Sequence, residues 1–222
     1  MSQEVKQTLV QCDFDGTITH ADVSYMVLDT FADGDWRKLL AEYRAGRITV
    51  GEFNTRAFAM VKADKKTLLD FIKSKLKVRA GFSQLVDYCQ RRGFKFVIVS
   101  NGLDFYIEDI LKELGVPDIE VFAARTEFNP GGVRVKYIGP DGNELQSDFK
   151  EAYIRLFISQ GYRIIYIGNG VSDLSPARQA HRIFATDDLL DSCRQVKVDC
   201  TPFHSLADII KGLALWDGIG SS

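Results

Sequence analysis

The sequence predicts an α/β protein. A Rossmann-like parallel sheet carries helices on both faces, with a small helical cap inserted after the first strand and a β-hairpin before the helix near Lys150. Three observations predict it. Short β-branched runs recur and are nearly continuous rather than alternating, as in strands covered on both faces. Helical patterns closed by a glycine lie between those runs. After the first run comes a stretch of about sixty residues with helical periodicity alone, too long for one crossover connection.

Taken in order, the strands are expected at Thr8–Cys12, Phe94–Val99, Ile119–Ala123, Ile164–Ile167 and Arg182–Ala185, with a weaker one at Val196–Asp199. Phe82, Leu85, Val86 and Cys89 recur at i, i+3, i+4 and i+7, and Gly93 stands where a helix closes. Phe105–Leu114 before Gly115 and Ala152–Gln160 before Gly161 repeat that design. Between Thr19 and Arg79 the pattern is helical, with Trp36, Leu39, Leu40 and Tyr43 on one stripe and a capping-box signature at Thr49 and Glu52. Residues 19–79 are therefore expected to form the cap, and residues 1–18 with 80–222 the catalytic core. Val133, Val135 and Tyr137 alternate before the turn sequence Pro140-Asp141-Gly142-Asn143, which predicts the hairpin.

Composition narrows the function. The chain has 222 residues, with 28 Lys and Arg against 30 Asp and Glu and a net charge of -2. That balance offers no basic excess for nucleic acid or an anionic lipid surface, so neither partner is expected. No apolar run approaches the roughly 20 residues that span a bilayer, which excludes a membrane pump. Met1–Gln11 has no basic segment followed by a hydrophobic stretch, so no signal peptide is expected and the location predicted is cytoplasmic. Cys12, Cys89, Cys193 and Cys200 have no metal-type spacing. His20, His181 and His204 are scattered and read as surface or packing residues, and Cys12 as a core residue.

The chemistry sits at strand ends. The first strand runs into Asp13-Phe14-Asp15-Gly16-Thr17, two carboxylates one residue apart before a turn. In open α/β sheets the ligand crevice lies beyond the carboxyl ends of the strands. Ser100-Asn101-Gly102 follows the second strand, Gly168-Asn169-Gly170-Val171-Ser172-Asp173 follows Ile164–Ile167, and Lys150 opens the helix leading into that segment. A hydroxyl, a cation and clustered acids at one edge suit phosphoryl transfer. An ionised Asp attacks phosphorus, a second carboxyl kept protonated serves as acid and then base, and a divalent ion with oxygen ligands neutralises charge. Ser100, Asn101, Gly102 and Lys150 would bind the remaining phosphoryl oxygens.

These residues resemble the haloacid dehalogenase-like phosphohydrolases. The first motif of that family is matched by Asp13-Phe14-Asp15-Gly16-Thr17, the second by Phe96-Val97-Ile98-Val99-Ser100, the third by Lys150, and the fourth is approached by Gly168–Asp173. The resemblance implies Asp13 as nucleophile, Asp15 as acid and base, and Mg2+ held by Asp13, the Asp15 backbone carbonyl, Asn169 and Asp173. The fourth motif usually begins Gly-Asp, whereas this chain has Gly168-Asn169, one negative charge fewer. That departure leaves a degenerate protein, binding a phosphorylated ligand without turnover, as an alternative. Retention of both Asp13 and Asp15 favours the enzyme. A dehalogenase needs no acid at the position of Asp15.

A helical cap in a chain of this length is similar to the phosphoserine-phosphatase-like branch. Within it, Cys12–Thr19, Asp104-Phe105-Tyr106, Phe184-Ala185 and Thr201-Pro202-Phe203 resemble the methionine-salvage phosphatases that act on a methylthiopentenyl phosphate. The substrate expected is a small phosphorylated metabolite, that phosphate first and phosphoserine second. Asp22, Tyr25, Arg56, Phe58 and Met60 are the cap residues expected near it, Arg56 with Asp22 suiting the carboxylate and amine of phosphoserine. Apolar surface on the cap is compatible with a monomer or a homodimer.

Overall fold

The computed structural model describes residues 7–219, with side chains through 215. Strand β1 (Thr8–Cys12) is central, flanked in parallel by β2 (Lys95–Leu103) and β6 (Arg163–Gly168). Beyond β6 lie β7 (Arg182–Ala185) and β8 (Thr201–Pro202), both parallel. On the other side come β3 (Glu120–Asn129), β4 (Gly132–Ile138) and β5 (Glu144–Leu145), giving the order β5-β4-β3-β2-β1-β6-β7-β8. The fold is the expected Rossmann-like α/β one. Leu9, Val10 and Cys12 of β1 and Ile164, Ile165 and Ile167 of β6 have no exposed surface, which is why these strands read as continuous apolar runs.

Helices α5 (Phe82–Arg91), α6 (Asp104–Glu113) and α7 (Phe149–Ser159) stand where periodicity predicts them. The glycines after them, Gly93, Gly115 and Gly161, all adopt positive φ. Between β1 and α5 lie α1 (Val23–Phe31), α2 (Trp36–Arg44), α3 (Val50–Phe58) and α4 (Lys65–Lys75). The capping box forms: Thr49 Oγ1 accepts the Glu52 N–H at 3.1 Å, and Glu52 accepts the Thr49 N–H at 2.7 Å. An aromatic cluster joins three of these helices, with Tyr25 against Trp36 at 5.3 Å and Tyr43 stacked on Phe53 at 5.7 Å between ring centres. The chain leaves and rejoins the sheet through two paired segments. Thr19 bridges Val78, and the Arg79 N–H donates to the Ile18 carbonyl at 2.7 Å.

Three strand expectations need correction. Val196–Asp199 is not a strand; the edge strand is Thr201–Pro202. Helix α9 (Asp187–Gln195) uses the intervening residues to close: Val196 caps it, Lys197 is left-handed, and the Val198 N–H returns to the Cys193 carbonyl at 2.9 Å. Strand β2 does not stop at Val99 but runs to Leu103, its register with β3 shifting between Val99 and Leu103. Strand β3 runs on to Asn129, parallel to β2 in its first half and antiparallel to β4 in its second. The hairpin before α7 is thus a three-stranded extension of the main sheet. The remaining helices are α8 (Leu174–Ala177) and α10 (Leu206–Ile219).

Candidate active site

The carboxyl ends of β1, β2 and β6 meet the N-terminus of α7 at a cavity of about 230 Å³ that α1, α2 and α3 help to line. Asp13, Asp15, Ser100, Asn101, Gly102, Lys150 and Asn169 line it, as do Asp22 and Tyr25. The topology therefore brings together residues separated by up to about 150 positions, because parallel strands all present their carboxyl ends to one edge.

Lys150 is the electrostatic centre. Its ammonium lies 2.8 Å from Asp13 Oδ1 and 2.6 Å from Asp173 Oδ1, and all three side chains are nearly inaccessible. Asp173 is saturated. Oδ1 also accepts the Tyr166 hydroxyl at 2.6 Å, and Oδ2 accepts the N–H groups of Asn169 at 3.1 Å and Gly170 at 2.9 Å. Burial alone raises its pKa, but Lys150 and these donors overcome it and hold the carboxyl below its ordinary value. Asp13 is pushed up to about 7, first by burial and then by the charge of Asp173, which together outweigh Lys150. Two carboxylates share one ammonium, so they cannot both be fully compensated.

Asp15 is set differently. Burial, then the charge of Asp22, raises its carboxyl well above the ordinary carboxylate range. Its Oδ1 accepts the Val23 N–H at 3.2 Å and its Oδ2 accepts the Tyr106 hydroxyl. Asp22 caps α1 by accepting the Tyr25 N–H at 2.8 Å, and burial pushes it up to about 6. Burial raises both carboxyls of this strand end, but Asp13 has the Lys150 ammonium beside it whereas Asp15 faces the charge of Asp22.

Ser100 is buried in the bulged part of β2, where its Oγ accepts the Gly102 N–H at 3.0 Å. Asn169 Oδ1 accepts the Thr17 hydroxyl at 2.9 Å, which ties the β6 loop to the β1 turn. Gly16, at φ 76°, has no room for a side chain because a Cβ would run into the Asn169 amide. Arg79, largely buried, donates to the carbonyls of Gly16 at 2.8 Å and Thr17 at 3.1 Å and so holds the same turn from behind.

Three of the expected cap residues do not line this cavity. Helix α3 turns Val50, Phe53 and Asn54 to the cavity, so residues at other phases of the helix point elsewhere. Arg56 is on its outer face, 3.5 Å from Glu42. Phe58 is fully buried in the core, and Met60 packs beside Gly34. Arg56 and Asp22 are not brought together; the cap arginine at the cavity is Arg44. Sequence reasoning also did not single out Ser24, Tyr43, Val50, Phe53, Asn54 and Asp188. Tyr43 belongs to the α2 apolar stripe and signals only packing, and nothing in the local sequence marks Arg44 or Asp188.

The donor chemistry fits a hard cation. Asp13 and Asn169 offer oxygen at the cavity, and the Asn169 oxygen has a second lone pair beyond the one taken by Thr17. No group of three His, Cys, Asp or Glu side chains among the described residues is arranged to hold an ion. Mg2+ commonly uses one or two carboxylates and completes its shell with water and substrate phosphate, so a sparse oxygen set suits it. Asp173, expected among the ligands, has both oxygens committed to Lys150, Tyr166 and the loop N–H groups.

With the two carboxyls of the β1 end, the serine of β2, the buried lysine and the helices between β1 and α5 described, comparison with known proteins gives the class. The haloacid dehalogenase-like hydrolase family matches residues 10–178, and the chain belongs to it. Within that family it is a phosphatase, a phosphoric monoester hydrolase. It is 32% identical over 213 residues to the 2-hydroxy-3-keto-5-methylthiopentenyl-1-phosphate phosphatase of Geobacillus kaustophilus, covering 94% of this chain and 96% of that one. The protein of the same name from Geobacillus thermodenitrificans is 30% identical with the same coverage. A phosphoserine phosphatase solved as its phospho-aspartyl intermediate analogue superposes with a TM-score of 0.69 at 19% identity, covering 93% of this chain and 98% of that one. A substrate-bound phosphoserine phosphatase gives 0.69 at 20% identity, covering 94% and 99%. At that identity the likeness speaks for the fold. No helix among the described residues is long and apolar enough to cross a membrane.

Proposed function

We propose that this phosphatase hydrolyses a small phosphorylated metabolite by passing the phosphoryl group through Asp13. The observation that carries the reading is the contrast in partners at one strand end: Asp13 is paired with Lys150 at 2.8 Å, whereas Asp15 faces the like charge of Asp22 and accepts from the Val23 N–H and the Tyr106 hydroxyl. Asp13 Oδ attacks phosphorus while Asp15 gives its proton to the departing ester oxygen, leaving an aspartyl-phosphate and the free alcohol. Asp15, now ionised, takes a proton from water as the water oxygen attacks phosphorus, which frees Asp13 and releases phosphate. Ser100, Lys150 and the Asn101 N–H bind the non-bridging oxygens, while the Gly102 N–H seats the Ser100 hydroxyl. Asp13, the Asp15 carbonyl and Asn169 would hold Mg2+, which would supply charge neutralisation at the phosphoryl group. Asp173 in this reading keeps Lys150 and the β6 loop in position.

Residues 19–79 act as the cap that selects the substrate, and 1–18 with 80–222 as the catalytic core. The methylthiopentenyl phosphate of methionine salvage is supported by the relatives and by an apolar and aromatic cavity wall of Tyr25, Tyr43, Val50, Phe53 and Val171. Phosphoserine is the second reading, because Arg44 and Asp188 at the same cavity have the charges that pair with its carboxylate and ammonium. The enzyme works in the cytoplasm as a monomer or homodimer.

The test is phosphate release from the methylthiopentenyl phosphate, phosphoserine, phosphocholine and small sugar phosphates, with and without Mg2+. Asp13→Asn is expected to abolish release; activity at the wild-type level in that variant refutes the mechanism. Binding of these esters with no turnover, even of a generic aryl phosphate in excess metal, would establish the ligand-binding alternative.

A further inference from the structure

Helix α6 buries one polar group that the chemistry above leaves without a role. Tyr106 has no exposed surface, yet its hydroxyl donates to Asp15 Oδ2 and lies 3.0 Å from Ser24 Oγ on α1. Ser24 is itself buried. The ring lies 5.3 Å from Phe105 and 6.2 Å from Phe14, contacts that a phenylalanine would make equally well. Only the hydroxyl reaches the site. The backbone of β2 passes so close to this pair that a Cβ on Gly102 would strike both Asp15 Oδ2 and the Tyr106 hydroxyl.

An aspartate carboxyl turns easily about its terminal torsion, whose preference is broad and roughly two-fold. One hydrogen bond leaves that rotation partly free, whereas one on each oxygen defines the plane. Asp15 has one on each: Val23 N–H on Oδ1 at 3.2 Å and Tyr106 on Oδ2. Both anchors lead to α1, the first directly and the second through Ser24. We propose that Tyr106, seated by Ser24, is a positioning residue that fixes the Asp15 carboxyl in the plane from which it protonates the leaving oxygen. The proposal rests on Asp15 being the general acid. It also means that the acid is aimed only while α1 of the insert is seated over the sheet edge.

Leaving groups distinguish aiming from packing. Phenolate leaves poorly without a proton, and p-nitrophenolate leaves well without one. The parameter to compare is kcat/KM, which reports the phosphoryl-transfer half for both esters. Tyr106→Phe is expected to lower kcat/KM for phenyl phosphate by roughly 10- to 100-fold, the scale of a misplaced catalytic group, and that for p-nitrophenyl phosphate by less than about 3-fold. Ser24→Ala keeps the ring and should show the same selectivity in weaker form; it carries the test if Tyr106→Phe fails to fold. Equal losses on the two esters, or none on either, overturn the positioning role. Asp15→Asn separates the two levels. If it too fails to discriminate between the esters, the general-acid reading falls; if it discriminates and the Tyr106 and Ser24 variants do not, only this proposal does.

Discussion

Replacing Lys150 with methionine keeps an unbranched side chain of similar length and removes the charge between Asp13 and Asp173. The Lys150 side chain is 2% exposed and those of its partners 7% and 0%, at 2.8 and 2.6 Å, so bulk water cannot stand in for the ammonium. Removing one member of a buried ion pair costs about 3–5 kcal/mol, because the remaining charge is left uncompensated. At ~2–4 °C per kcal/mol for a chain of this size, the midpoint should fall by roughly 6–20 °C. Thermal or urea unfolding at neutral pH measures it. A second substitution makes the reasoning specific. Asp173→Asn alone should destabilise, since it weakens four donor contacts. In the Lys150→Met background it removes an orphaned charge and should restore about 1–3 kcal/mol. A Lys150→Met protein within about 1 kcal/mol of wild type, or an Asp173→Asn cost that is the same in both backgrounds, would refute the account.

Other outcomes follow from the same geometry. Asn169→Asp restores a carboxylate that still accepts the Thr17 hydroxyl, and should lower the Mg2+ concentration for half-maximal phosphate release by roughly tenfold, about 1.4 kcal/mol. Gly132 sits at φ 130° where a Cβ would strike the Ala59 carbonyl oxygen, so Gly132→Ala should cost about 1–3 kcal/mol in denaturant unfolding as the hairpin is pushed off α3. Asp208 accepts the Ser205 N–H at 2.9 Å and is held well below the usual carboxylate range. A depressed folded value means that its stabilisation is present above about pH 4 and lost as pH falls through the folded value. The stability gap between wild type and Asp208→Ala, followed by urea midpoints, should be full at pH 7 and close progressively below about pH 4.

Much of the fold is legible because its signals are local. The runs Thr8–Cys12 and Arg182–Ala185 are the strands β1 and β7 to the residue, and Thr49 with Glu52 forms the box its spacing announces. Errors fall where partners decide. Val196–Asp199 has the composition of a strand, but closing α9 takes its N–H groups and leaves Thr201–Pro202 to pair with β7. Ser100–Gly102 has the look of a loop, yet β3 continues the ladder to Leu103 and bulges the strand into the site.

The sequence by itself determined the class of protein and the edge proposed for its chemistry: two carboxylates after a strand, a serine after another and a lysine opening a helix fall together, since parallel strands must present their carboxyl ends together. Which cap side chains face that edge was decided only by tertiary structure. Helix α3 turns Asn54 inward and Arg56 outward, two positions that composition cannot tell apart, because the helical phase is set by the aromatic packing of Tyr25, Trp36, Tyr43 and Phe53. The same holds for Asp15. It is legible as a carboxyl in the right place, but its raised pKa comes from burial and the charge of Asp22, and its hydrogen bond from Tyr106, about ninety positions away, comes from long-range packing.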